Sequence, residues 1–575
     1  MELSKKDIVR LLETISIYME LKGENTFKVS AFRKAAAALE ADDRSLSEMN
    51  DFTTLPGIGK GTAAVIEEYI KTKESTVLKE LQEEVPKGLI PMLQIQGLGG
   101  KKISKLYLEL GIENMEDLKE ACFAKKVQQL AGFGQKTEEK ILHAIENVGT
   151  RPERLPIAFM LPIAEMIEKE IEGFKGVEKF SRAGSLRRMR ETIKDLDFII
   201  STNDTNIIRE QLLKLPKIKE VIAAGDTKVS LTLQFQYDVS VDFRLVKPKE
   251  FATTLHHFTG SKEHNVKMRQ LAKDRGEKIS EYGVENVETG DVTTFTSELD
   301  FYHHFGLPFI PPELREDGRE VEEFSEEHSL LSIEDIKGDL HMHSTWSDGA
   351  FSIEEMVEAC RARGYQYMAI TDHSQYLKVA NGLDRERLKK QHAEIKKLNE
   401  KYDDFIILTG VEMDILPDGT LDYDDELLAE IDVVIASIHS SFSQSEEKIM
   451  NRLKNALINA NVDIIAHPTG RLIGRREGYP VNIELLIQLA KETNTALELN
   501  ANPHRLDLSA ENVRKAQAAG VKIVINTDAH HKDTLSHMEI GVASARKGWI
   551  LKENVLNTLD INDLLKYLQR NDDKK

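Results

Sequence analysis

Cysteine is scarce in this chain, since only Cys122 and Cys360 occur among its 575 residues. Their wide separation excludes a disulfide framework and a CxxC metal or redox site. A reducing, cytoplasmic compartment is the location that this cysteine usage favours. The chain also lacks the roughly 20 consecutive apolar residues that a membrane-spanning helix needs. The first residues, MELSKKDIVRLLETI, show an amphipathic helical pattern and not a secretion signal, so we expect no membrane partner.

Positive charge is in the minority, because 77 Lys and Arg face 97 Asp and Glu and give a formal net charge of −20. On its own this balance argues against a nucleic-acid partner, whose backbone is bound by neutralising phosphates. However, the acidic excess is partly local, in the segment 311–336, and basic residues cluster elsewhere, as at 182–190. The length predicts about three or four domains, so a whole-chain charge describes none of them well.

Three short segments in the first 150 residues resemble one another: LPGIGKGTA (55–63), IQGLGGKKI (95–103) and LAGFGQKTE (130–138). Each places a Gly–apolar–Gly turn just before a predicted helix. Glycine allows a phosphate to approach the backbone closely, and the free N–H groups at a helix start attract anions. The alternative is a set of ordinary turns between helices, but the threefold repeat favours a helix-hairpin-helix pattern. It predicts DNA-backbone contacts at Gly57, Gly59, Gly97, Gly99, Gly132 and Gly134.

The segment SRAGSLRRMRETIKDLDFII (181–200) combines a Gly-Ser turn, a basic run and two acids, Asp195 and Asp197, that enter a predicted strand. Residues two apart on a strand share a face, and carboxylates on one face repel unless a cation lies between them. A third acid, Asp242, lies in the alternating segment YDVSVDFRLV. Such carboxylates can hold two Mg²⁺ ions for in-line phosphoryl transfer. The alternative is an exposed strand with solvated acids.

The last 240 or so residues carry potential metal ligands after a series of apolar runs, such as AITDHS, IASIHS and IIAHP. A parallel strand that is buried on both faces reads as such a run, and in a barrel the strand ends meet at one mouth. Histidine and carboxylate ligands suit Zn²⁺ or Mn²⁺. Satisfied buried histidines are the alternative, but nine such residues in order favour a metal-dependent enzyme. The predicted ligands are His341, His343, Asp348, His373, Glu412, His439, His467, Asp528 and His530.

Residues 1–315 resemble the DNA polymerase X family in FKVSAFRKAA, LPGIG, RLP (154–156), GSLRRMRETIKDLDF, VDFRL and HHFTGSKEHN. The resemblance implies that Asp195, Asp197 and Asp242 are catalytic and hold two Mg²⁺ or Mn²⁺ ions. It also implies that gapped or primed double-stranded DNA and dNTPs are the substrates. The dNTP contacts that it implies are Arg154, Gly184, Ser185, Arg188, His257, Phe258, Gly260 and Asn265.

Two positions depart from the polymerase X pattern. The family has Tyr before the Phe of the FTGS loop, whereas this chain has His257, which leaves its sugar discrimination open. The family's deoxyribose-phosphate lyase uses a Lys eight residues beyond the first Gly of its N-terminal turn. Here that position, counted from Gly57, is Val65, which cannot form a Schiff base. We therefore expect no lyase of the usual kind, although Lys60 lies nearby.

Residues 337–575 resemble the PHP (polymerase and histidinol phosphatase) family, a (β/α)7-type barrel that holds up to three Mn²⁺ or Zn²⁺ ions. In the groups that the resemblance implies, Glu412 bridges the first two sites. The groups are His341, His343, Glu412 and Asp528; Glu412, His439 and His467; and Asp348, His373 and His530. All nine positions carry a ligand, which argues against a purely structural domain.

Together the resemblances predict a multidomain fold: an α-helical helix-hairpin-helix region, an α/β nucleotidyltransferase palm with a small thumb, and a distorted (β/α)7 PHP barrel. This is the layout of bacterial family X DNA polymerases. The predicted divisions are 1–90 (N-terminal helical DNA-binding domain), 91–150 (helix-hairpin-helix fingers), 151–250 (palm), 251–316 (thumb), 317–336 (acidic linker) and 337–575 (PHP domain).

The function that this layout predicts is gap filling in DNA repair, including base excision repair, by a monomer in the bacterial cytoplasm. The barrel is expected to add a 3′→5′ exonuclease, with abasic-site or 3′-end processing implied by the family. Three alternatives stay open at this point: a barrel that acts as a small-molecule phosphatase, a barrel that only docks the polymerase, and a non-catalytic protein that binds DNA ends.

Overall fold

The structure, a computed structural model, describes residues 5–40, 49, 51–95, 98–147, 152–325, 327 and 329–569. The chain divides into two compact units, Met1–Pro152 and Glu153–Lys575. Within these described ranges, no helix has both the length and the apolar character that crossing a membrane requires.

In its described residues, the first unit consists of helices joined by turns and short loops, without strands. The apolar face of the first helix, formed by Ile8, Leu11, Leu12 and Ile15, is buried, as the recurrence of apolar residues every three or four positions predicts. One apolar cluster joins the first four helices, and a second lies among the last three and includes Leu21 of the first helix. The helices are Lys5–Lys22 (α1), Thr26–Glu40 (α2), Lys60–Thr72 (α3), Thr76–Glu84 (α4), Gly100–Leu110 (α5), Met115–Phe123 (α6) and Gln135–Asn147 (α7).

The second unit opens with a palm-like α/β layer. Its strands are Leu155–Pro156 (β1), Val177–Arg182 (β2), Thr192–Ile193 (β3), Leu196–Thr202 (β4), Ile218–Ala224 (β5), Lys228–Gln234 (β6) and Asp238–Val246 (β7). Its helices are Ile157–Glu172 (α8), Gly184–Arg187 (α9) and Thr205–Leu212 (α10).

The main palm sheet has the order β2-β4-β7-β6-β5, and β4 runs parallel to β7 while the other neighbours are antiparallel. Burial alternates along β7, as its sequence predicts, with Val239, Val241 and Phe243 in the core. Because successive side chains of a strand point to opposite faces, Asp242 lies on the face turned away from that core.

A thumb-like region follows the palm. Its helices are Phe251–Thr259 (α11), Lys262–Asp274 (α12), Glu298–His304 (α13) and Glu320–Glu323 (α14), and its small antiparallel sheet consists of Glu277–Ser280 (β8), Gly283–Asn286 (β9) and Val292–Thr293 (β10).

A buried ionic network connects the thumb-like region to the palm. Glu298 accepts hydrogen bonds from Arg315 at 2.7 Å and from Arg187 at 2.6 Å. Burial alone would raise the pKa of Glu298, but the two guanidinium groups outweigh it and lower this pKa to about 2.

The remainder of the second unit is a nearly closed parallel barrel, as predicted. Its sheet follows chain order: Gly338–Asp339 (β11), Tyr367–Ile370 (β12), Ile406–Asp414 (β13), Val433–Ser437 (β14), Ile464–Ile465 (β15), Ala496–Asn500 (β16) and Ile523–Asn526 (β17). The chain after β17 returns to the chain after β11, where the His343 N–H donates to the carbonyl of Ala529 at 2.9 Å. The helices around it are Ile353–Ala362 (α15), Arg385–Asn399 (α16), Asp425–Leu428 (α17), Glu446–Ile458 (α18), Ile483–Thr493 (α19), Ala510–Ala519 (α20), His537–Lys547 (α21) and Ile561–Leu568 (α22).

The palm and the barrel pack directly against each other within the second unit. Ile473 and Leu506, from loops of the barrel, belong to the apolar core of the palm. The Arg471 guanidinium donates to the Glu191 carboxylate of the palm at 2.7 Å. The contact is therefore both apolar and ionic, and it fixes the orientation of one region relative to the other.

The first two barrel strands pack closely against each other at Gly338. A Cβ added at Gly338 would lie 2.3 Å from Cδ2 of the buried Tyr367 and 2.4 Å from its carbonyl oxygen. Because Gly338 and Tyr367 are direct strand partners, the backbone cannot withdraw. We expect Gly338→Ala to lower the free energy of unfolding by about 1–3 kcal/mol. Both tryptophans, Trp346 and Trp549, lie in the barrel region, so their fluorescence in a urea titration measures this change.

The matched control is Lys566→Ala, whose side chain is 76% exposed. Its unfolding midpoint should stay near that of the native protein, because exposed substitutions usually change stability by less than about 0.5 kcal/mol. An unchanged midpoint for Gly338→Ala would show that the first two barrel strands are not packed as described.

Candidate active sites

The palm brings the three predicted catalytic acids together. Asp197 of β4 and Asp242 of β7 are direct register partners on adjacent parallel strands. Asp195 lies one residue before β4 begins at Leu196. Burial, and then the negative charges of Asp195 and Asp242, raise the pKa of Asp197 to about 7. A cation beside these acids would restore their ionised forms, because an opposite charge favours the charged state.

Positive charge from the protein already reaches one of these acids. Lys228 Nζ lies 2.9 Å from Asp242 Oδ2, and the Ser230 hydroxyl donates to Asp242 Oδ1 at 2.6 Å. Within the described ranges, groups of ligand atoms that all lie within 4.8 Å of one another occur in the barrel and not in the palm. The palm acids are thus neighbours whose mutual repulsion is only partly offset by the positive charges of Arg244 and Lys228.

The Gly-Ser turn lies directly beside Asp197. Gly184 has a φ of +60°, and a Cβ there would lie 2.2 Å from Asp197 Oδ2, so only glycine fits. Ser185 follows in the first turn of α9. Arg154 donates through Nε to Thr192 Oγ1 at 3.1 Å, and its charge reaches Arg188. Four residues that the resemblance assigns to dNTP binding therefore lie in this turn or near it: Arg154, Gly184, Ser185 and Arg188.

The FTGS loop meets the same turn from the thumb side. His257 and Phe258 lie in the last turn of α11, and Gly260, with a φ of +68°, ends that helix. Arg188 donates to the carbonyl of the preceding residue, Thr259. Asn265 of α12 donates through Nδ2 to the His257 carbonyl at 2.8 Å and so fixes this loop. Of the remaining predicted dNTP contacts, Gly260 lies beside Arg188, because a Cβ added there would be 3.2 Å from Arg188 Nη1, whereas the Arg244 guanidinium lies over the Phe258 ring.

The repeated glycine turns precede helices as predicted. Helices α3, α5 and α7 each begin one residue after the second glycine of a turn. Gly57 and Gly132 have φ values of +106° and +89°, which glycine adopts without strain. Among described residues, nothing lies within 4 Å of a Cβ added at Gly59, Gly99, Gly132 or Gly134, so a phosphate has room to approach. The remaining predicted contact, Gly97, lies outside the described residues.

Val65, at the position expected for a lyase lysine, is a core residue of α3. Its side chain is 6% exposed and packs with Ile66 and other apolar residues of the first unit. A lysine at this site would need its ammonium buried in an apolar cluster. Lys60, the first residue of α3, is exposed instead.

The barrel brings all nine predicted ligands together at its mouth. His373, His439 and His467 each follow a strand end, and Glu412 lies within β13. The carboxylate of Glu412 is central: Oε1 lies 3.0 Å from His467 Nε2 and 3.1 Å from His439 Nε2, and Oε2 lies 2.9 Å from His373 Nδ1. The groups whose ligand atoms all lie within 4.8 Å of one another are His343, Asp348, His373 and His530; His341, His343, Glu412 and Asp528; and His373, Glu412 and His439.

These groups match the implied grouping in part. The set around His341 and Asp528 is the implied one, whereas the set around Asp348 gains His343, and His373 joins Glu412 and His439. His467 is connected through its contact with Glu412. The difference arises because the two oxygens of Glu412 face different histidines, which residue order along the chain does not determine.

Carboxylates and imidazoles share charge across the barrel mouth. Burial alone would lower the pKa of His439, but Glu412 and Asp414 outweigh it and raise this pKa to about 10. Burial likewise opposes protonation of His530, whose pKa Asp348 and Asp528 raise to about 9. Such carboxylates hold protons on neighbouring imidazoles, and a bound metal ion would displace those protons.

Several buried ring nitrogens also suit a metal ion. His341 Nε2 and His343 Nδ1, both in the ligand groups, have no hydrogen-bond partner among the described residues. Buried polar atoms are nearly always satisfied, so such nitrogens need an explanation. Because His341 Nδ1 is paired with Glu498 at 2.7 Å, its Nε2 is left to act as a ligand. The residues at the mouth therefore fit a metal site.

Sequence reasoning missed the carboxylates behind the ligands. Glu498 of β16 is fully buried and receives hydrogen bonds from His341 Nδ1, the His467 N–H and the side chains of Asn500 and Asn526. Asp414 lies 3.3 Å from His439 Nδ1. Such partners fix the tautomer and orientation of a ligating histidine. An acid inside the apolar run ALELN was the sequence signal for Glu498.

Comparison with known families identifies several regions of the chain. A helix-hairpin-helix domain model matches residues 4–75, and a SAM-like helix-hairpin-helix tandem matches residues 89–147. The DNA polymerase beta thumb matches residues 254–316, and the PHP domain matches residues 339–502. The chain thus combines DNA-binding helical modules, a polymerase beta-type thumb and a PHP barrel.

Curated relatives agree with this combination. The chain is 66% identical over 568 residues to the DNA polymerase/3'-5' exonuclease PolX of Bacillus subtilis (strain 168), covering 99% of this chain and 100% of that protein. A probable phosphatase of Thermoanaerobacter sp. is 31% identical over 242 residues, or 40% of this chain and 94% of its own length. A probable phosphatase of Caldanaerobacter subterraneus is 29% identical over 243 residues, or 40% and 90%. The chain belongs to the DNA polymerase/3'-5' exonuclease PolX family.

The pKa of Asp197 predicts how Mg²⁺ affects thermal stability. The pKa of this carboxyl is 3.8 in an unstructured chain and about 7 in the fold. Its contribution to stability is therefore complete below pH 3.8 and is lost as pH rises to about 7, where the acid is forced to ionise. Because Mg²⁺ binds the ionised form, the Tm increase caused by Mg²⁺ should be larger at pH 8 than at pH 6.

Asp197→Asn is the matched control, since it keeps the shape of the side chain and cannot ionise. Subtracting its Mg²⁺-dependent Tm shift from that of the native protein removes the contribution of the barrel. If the difference between the two proteins is the same at both pH values, the raised pKa of Asp197 does not govern cation binding.

Glu498→Gln should weaken metal binding in the barrel. The amide NH₂ would face groups that already donate to both carboxylate oxygens, and the negative charge behind His341 would be lost. We expect the affinity for Mn²⁺, measured by calorimetric titration of the metal-stripped protein, to fall about 10- to 100-fold. Glu492→Gln, at an exposed position of α19, should bind as the native protein does. Equal affinities for the two variants would remove Glu498 from any role at the site.

Proposed function

We propose that this chain is a DNA polymerase that fills short gaps during DNA repair, including base excision repair, and that its barrel is a 3′→5′ exonuclease. One observation carries the proposal. A palm acid cluster beside an arginine turn and a barrel mouth with nine ligands occur together in a chain that is 66% identical to a DNA polymerase/3'-5' exonuclease over 568 residues. Abasic-site or 3′-end processing by the barrel belongs to the same proposal.

In the palm, the primer 3′-hydroxyl would attack the α-phosphate of a dNTP. Asp195 and Asp197 would be shared ligands of two ions, Mg²⁺ or Mn²⁺, and Asp242 would bind the catalytic ion and assist deprotonation of the 3′-hydroxyl. When bound, these ions supply charge stabilisation for the attacking and leaving oxygens. Ser185, Arg188 and Arg154 would bind the triphosphate. Arg154 is oriented for this by its hydrogen bonds to Thr192.

In the barrel, the nine ligands would hold up to three Mn²⁺ or Zn²⁺ ions, with Glu412 shared between sites. When bound, such ions generate hydroxide near neutral pH and stabilise the leaving oxygen. Glu498 and Asp414 would orient the histidines through their other ring nitrogens. Removing and adding nucleotides at one 3′ end is a coherent pairing for a repair enzyme.

The partners proposed for the chain are gapped or primed double-stranded DNA and dNTPs. Open glycine turns before α3, α5 and α7 support backbone contacts to that DNA, and family models match both helical segments. The sixfold division given above, from 1–90 to 337–575, is retained as a proposal, supported by the matched thumb and PHP regions. A monomer in the bacterial cytoplasm is also proposed, and the buried free thiols of Cys122 and Cys360 support a reducing compartment.

Paired substitutions separate the two proposed activities. Asp195→Ala with Asp197→Ala should abolish dNTP incorporation on gapped DNA, because the ions lose their shared ligands, and should leave 3′-end degradation near the native rate. His341→Ala with His343→Ala should do the reverse. Both outcomes are measured on one 5′-labelled primer with a free 3′-hydroxyl, by its extension and by its degradation. Asp226→Ala, at an exposed palm position, is the control expected to keep both activities.

Retained synthesis in the first variant would refute the palm site, and retained degradation in the second would refute the barrel site. Loss of both activities in either variant would instead show that the two regions act as one site. A native protein that binds gapped DNA but neither extends nor degrades it would favour a non-catalytic DNA-end-binding role.

A second candidate function for the barrel is hydrolysis of a small phosphate ester. Relatives 29–31% identical over about 240 residues are named probable phosphatases, which favours this candidate. Native protein loaded with Mn²⁺ would be assayed on a sugar phosphate and on single-stranded DNA. Faster hydrolysis of the sugar phosphate would support the phosphatase, whereas preference for DNA would support the exonuclease. If metal removal changes stability but changes hydrolysis of neither the sugar phosphate nor the DNA, the barrel acts only as a scaffold.

A further inference from the structure

Glu316, between α13 and α14 of the thumb-like region, is surrounded by cations from the palm and the barrel. Its carboxylate accepts from Arg190 at 2.8 Å and from Arg188 Nε at 3.3 Å, both on the palm turn. The third donor is Lys547, the last residue of α21 in the barrel. Lys547 Nζ also donates to the Arg188 carbonyl at 3.3 Å. The barrel therefore reaches the turn that carries the predicted triphosphate contacts.

The backbone around Glu316 is hydrogen-bonded to Ser261 of the FTGS loop. Its carbonyl accepts from the Ser261 hydroxyl at 2.7 Å, and the Ser261 N–H donates to the Arg315 carbonyl at 3.0 Å. The side chains of Glu316 and Lys547 are only 23% and 17% exposed, so their charges are screened less than charges on an open surface. The carboxylate thus remains within reach of Arg188.

This arrangement creates a conflict at Arg188. The guanidinium is the predicted partner of the triphosphate, but Glu316 neutralises it and would itself repel a triphosphate. Two guanidinium groups and one carboxylate carry a formal charge of +1, and the ammonium of Lys547 raises it to +2. Lys547 therefore restores positive potential where the triphosphate is expected to bind.

We propose that Lys547, a residue of the barrel, is a positioning residue for nucleotide binding in the palm. By neutralising Glu316, its ammonium leaves Arg188 available to the triphosphate of an incoming dNTP. The inference rests on the proposed polymerase function. It also means that the barrel contributes to synthesis through a residue that is not one of the nine predicted metal ligands.

The test is the KM and kcat for dNTP of the full-length protein on gapped DNA, with a phosphorothioate-protected 3′ end that resists degradation. Lys547→Met should raise KM about three- to tenfold, the effect of losing one partly buried ion pair. It should leave kcat within about twofold, because no reacting group is touched. Lys547→Arg should restore KM, and Lys566→Met, exposed on α22, should match the native protein.

Glu316→Gln completes a double-mutant cycle. If Lys547 acts by neutralising this carboxylate, Lys547→Met should change KM in the native background and leave it unchanged in the Glu316→Gln background. Equal effects in both backgrounds, an unchanged KM, or a loss confined to kcat would overturn the inference. If the native protein incorporates dNTP and Lys547→Met has an unchanged KM, only the inference about Lys547 is overturned and the polymerase function stands. Absence of incorporation by the native protein would overturn the polymerase function together with it.

Discussion

Like charges held close together in a partly buried space are the constraint around which both candidate sites are built. In the palm, β4 and β7 bring carboxylates side by side, and their repulsion is expressed in the raised pKa of Asp197. In the barrel, Glu412 and Asp528 are balanced by imidazoles that crowd around them. Such arrangements are costly unless opposite charge is present, and divalent cations supply it in a compact form.

The two sites meet this constraint with different protein groups. The palm offers the carboxylates of Asp195, Asp197 and Asp242, which suit hard ions such as Mg²⁺, and Lys228 partly neutralises Asp242. The barrel offers imidazole nitrogens oriented by buried carboxylates, a set that suits Zn²⁺ or Mn²⁺. Both sites lie within one compact unit, in which Arg471 and Glu191 join barrel and palm. The surrounding fold therefore fixes where each set of potential ligands lies.

Much of this organisation could be predicted from the sequence. Alternation along β7 and the apolar runs before the histidines depend on local periodicity, and periodicity determines which face of a strand is buried. The glycine turns were recognisable because a φ above zero selects for glycine, as at Gly57. The family relationship inferred from these motifs is shown by the full-length similarity to a PolX protein.

What the sequence did not indicate depends on contacts between distant segments. The role of Glu498 arises from four donors that converge on it from the ends of four strands, and the sequence around Glu498 does not mark that convergence. The sharing of His343 and His373 among ligand groups likewise follows from the barrel's geometry. The sequence marked Glu316 only as part of an acidic segment, although its side chain joins the palm turn to the barrel.

Anomalous X-ray diffraction from crystals of the native protein soaked in Mn²⁺ is the most direct test of the central claim, which is that this fold holds two separate cation sites. The account predicts peaks between Asp197 and Asp242 and, separately, around Glu412. Absence of peaks at either place, with Mn²⁺ bound elsewhere on the surface, would contradict it.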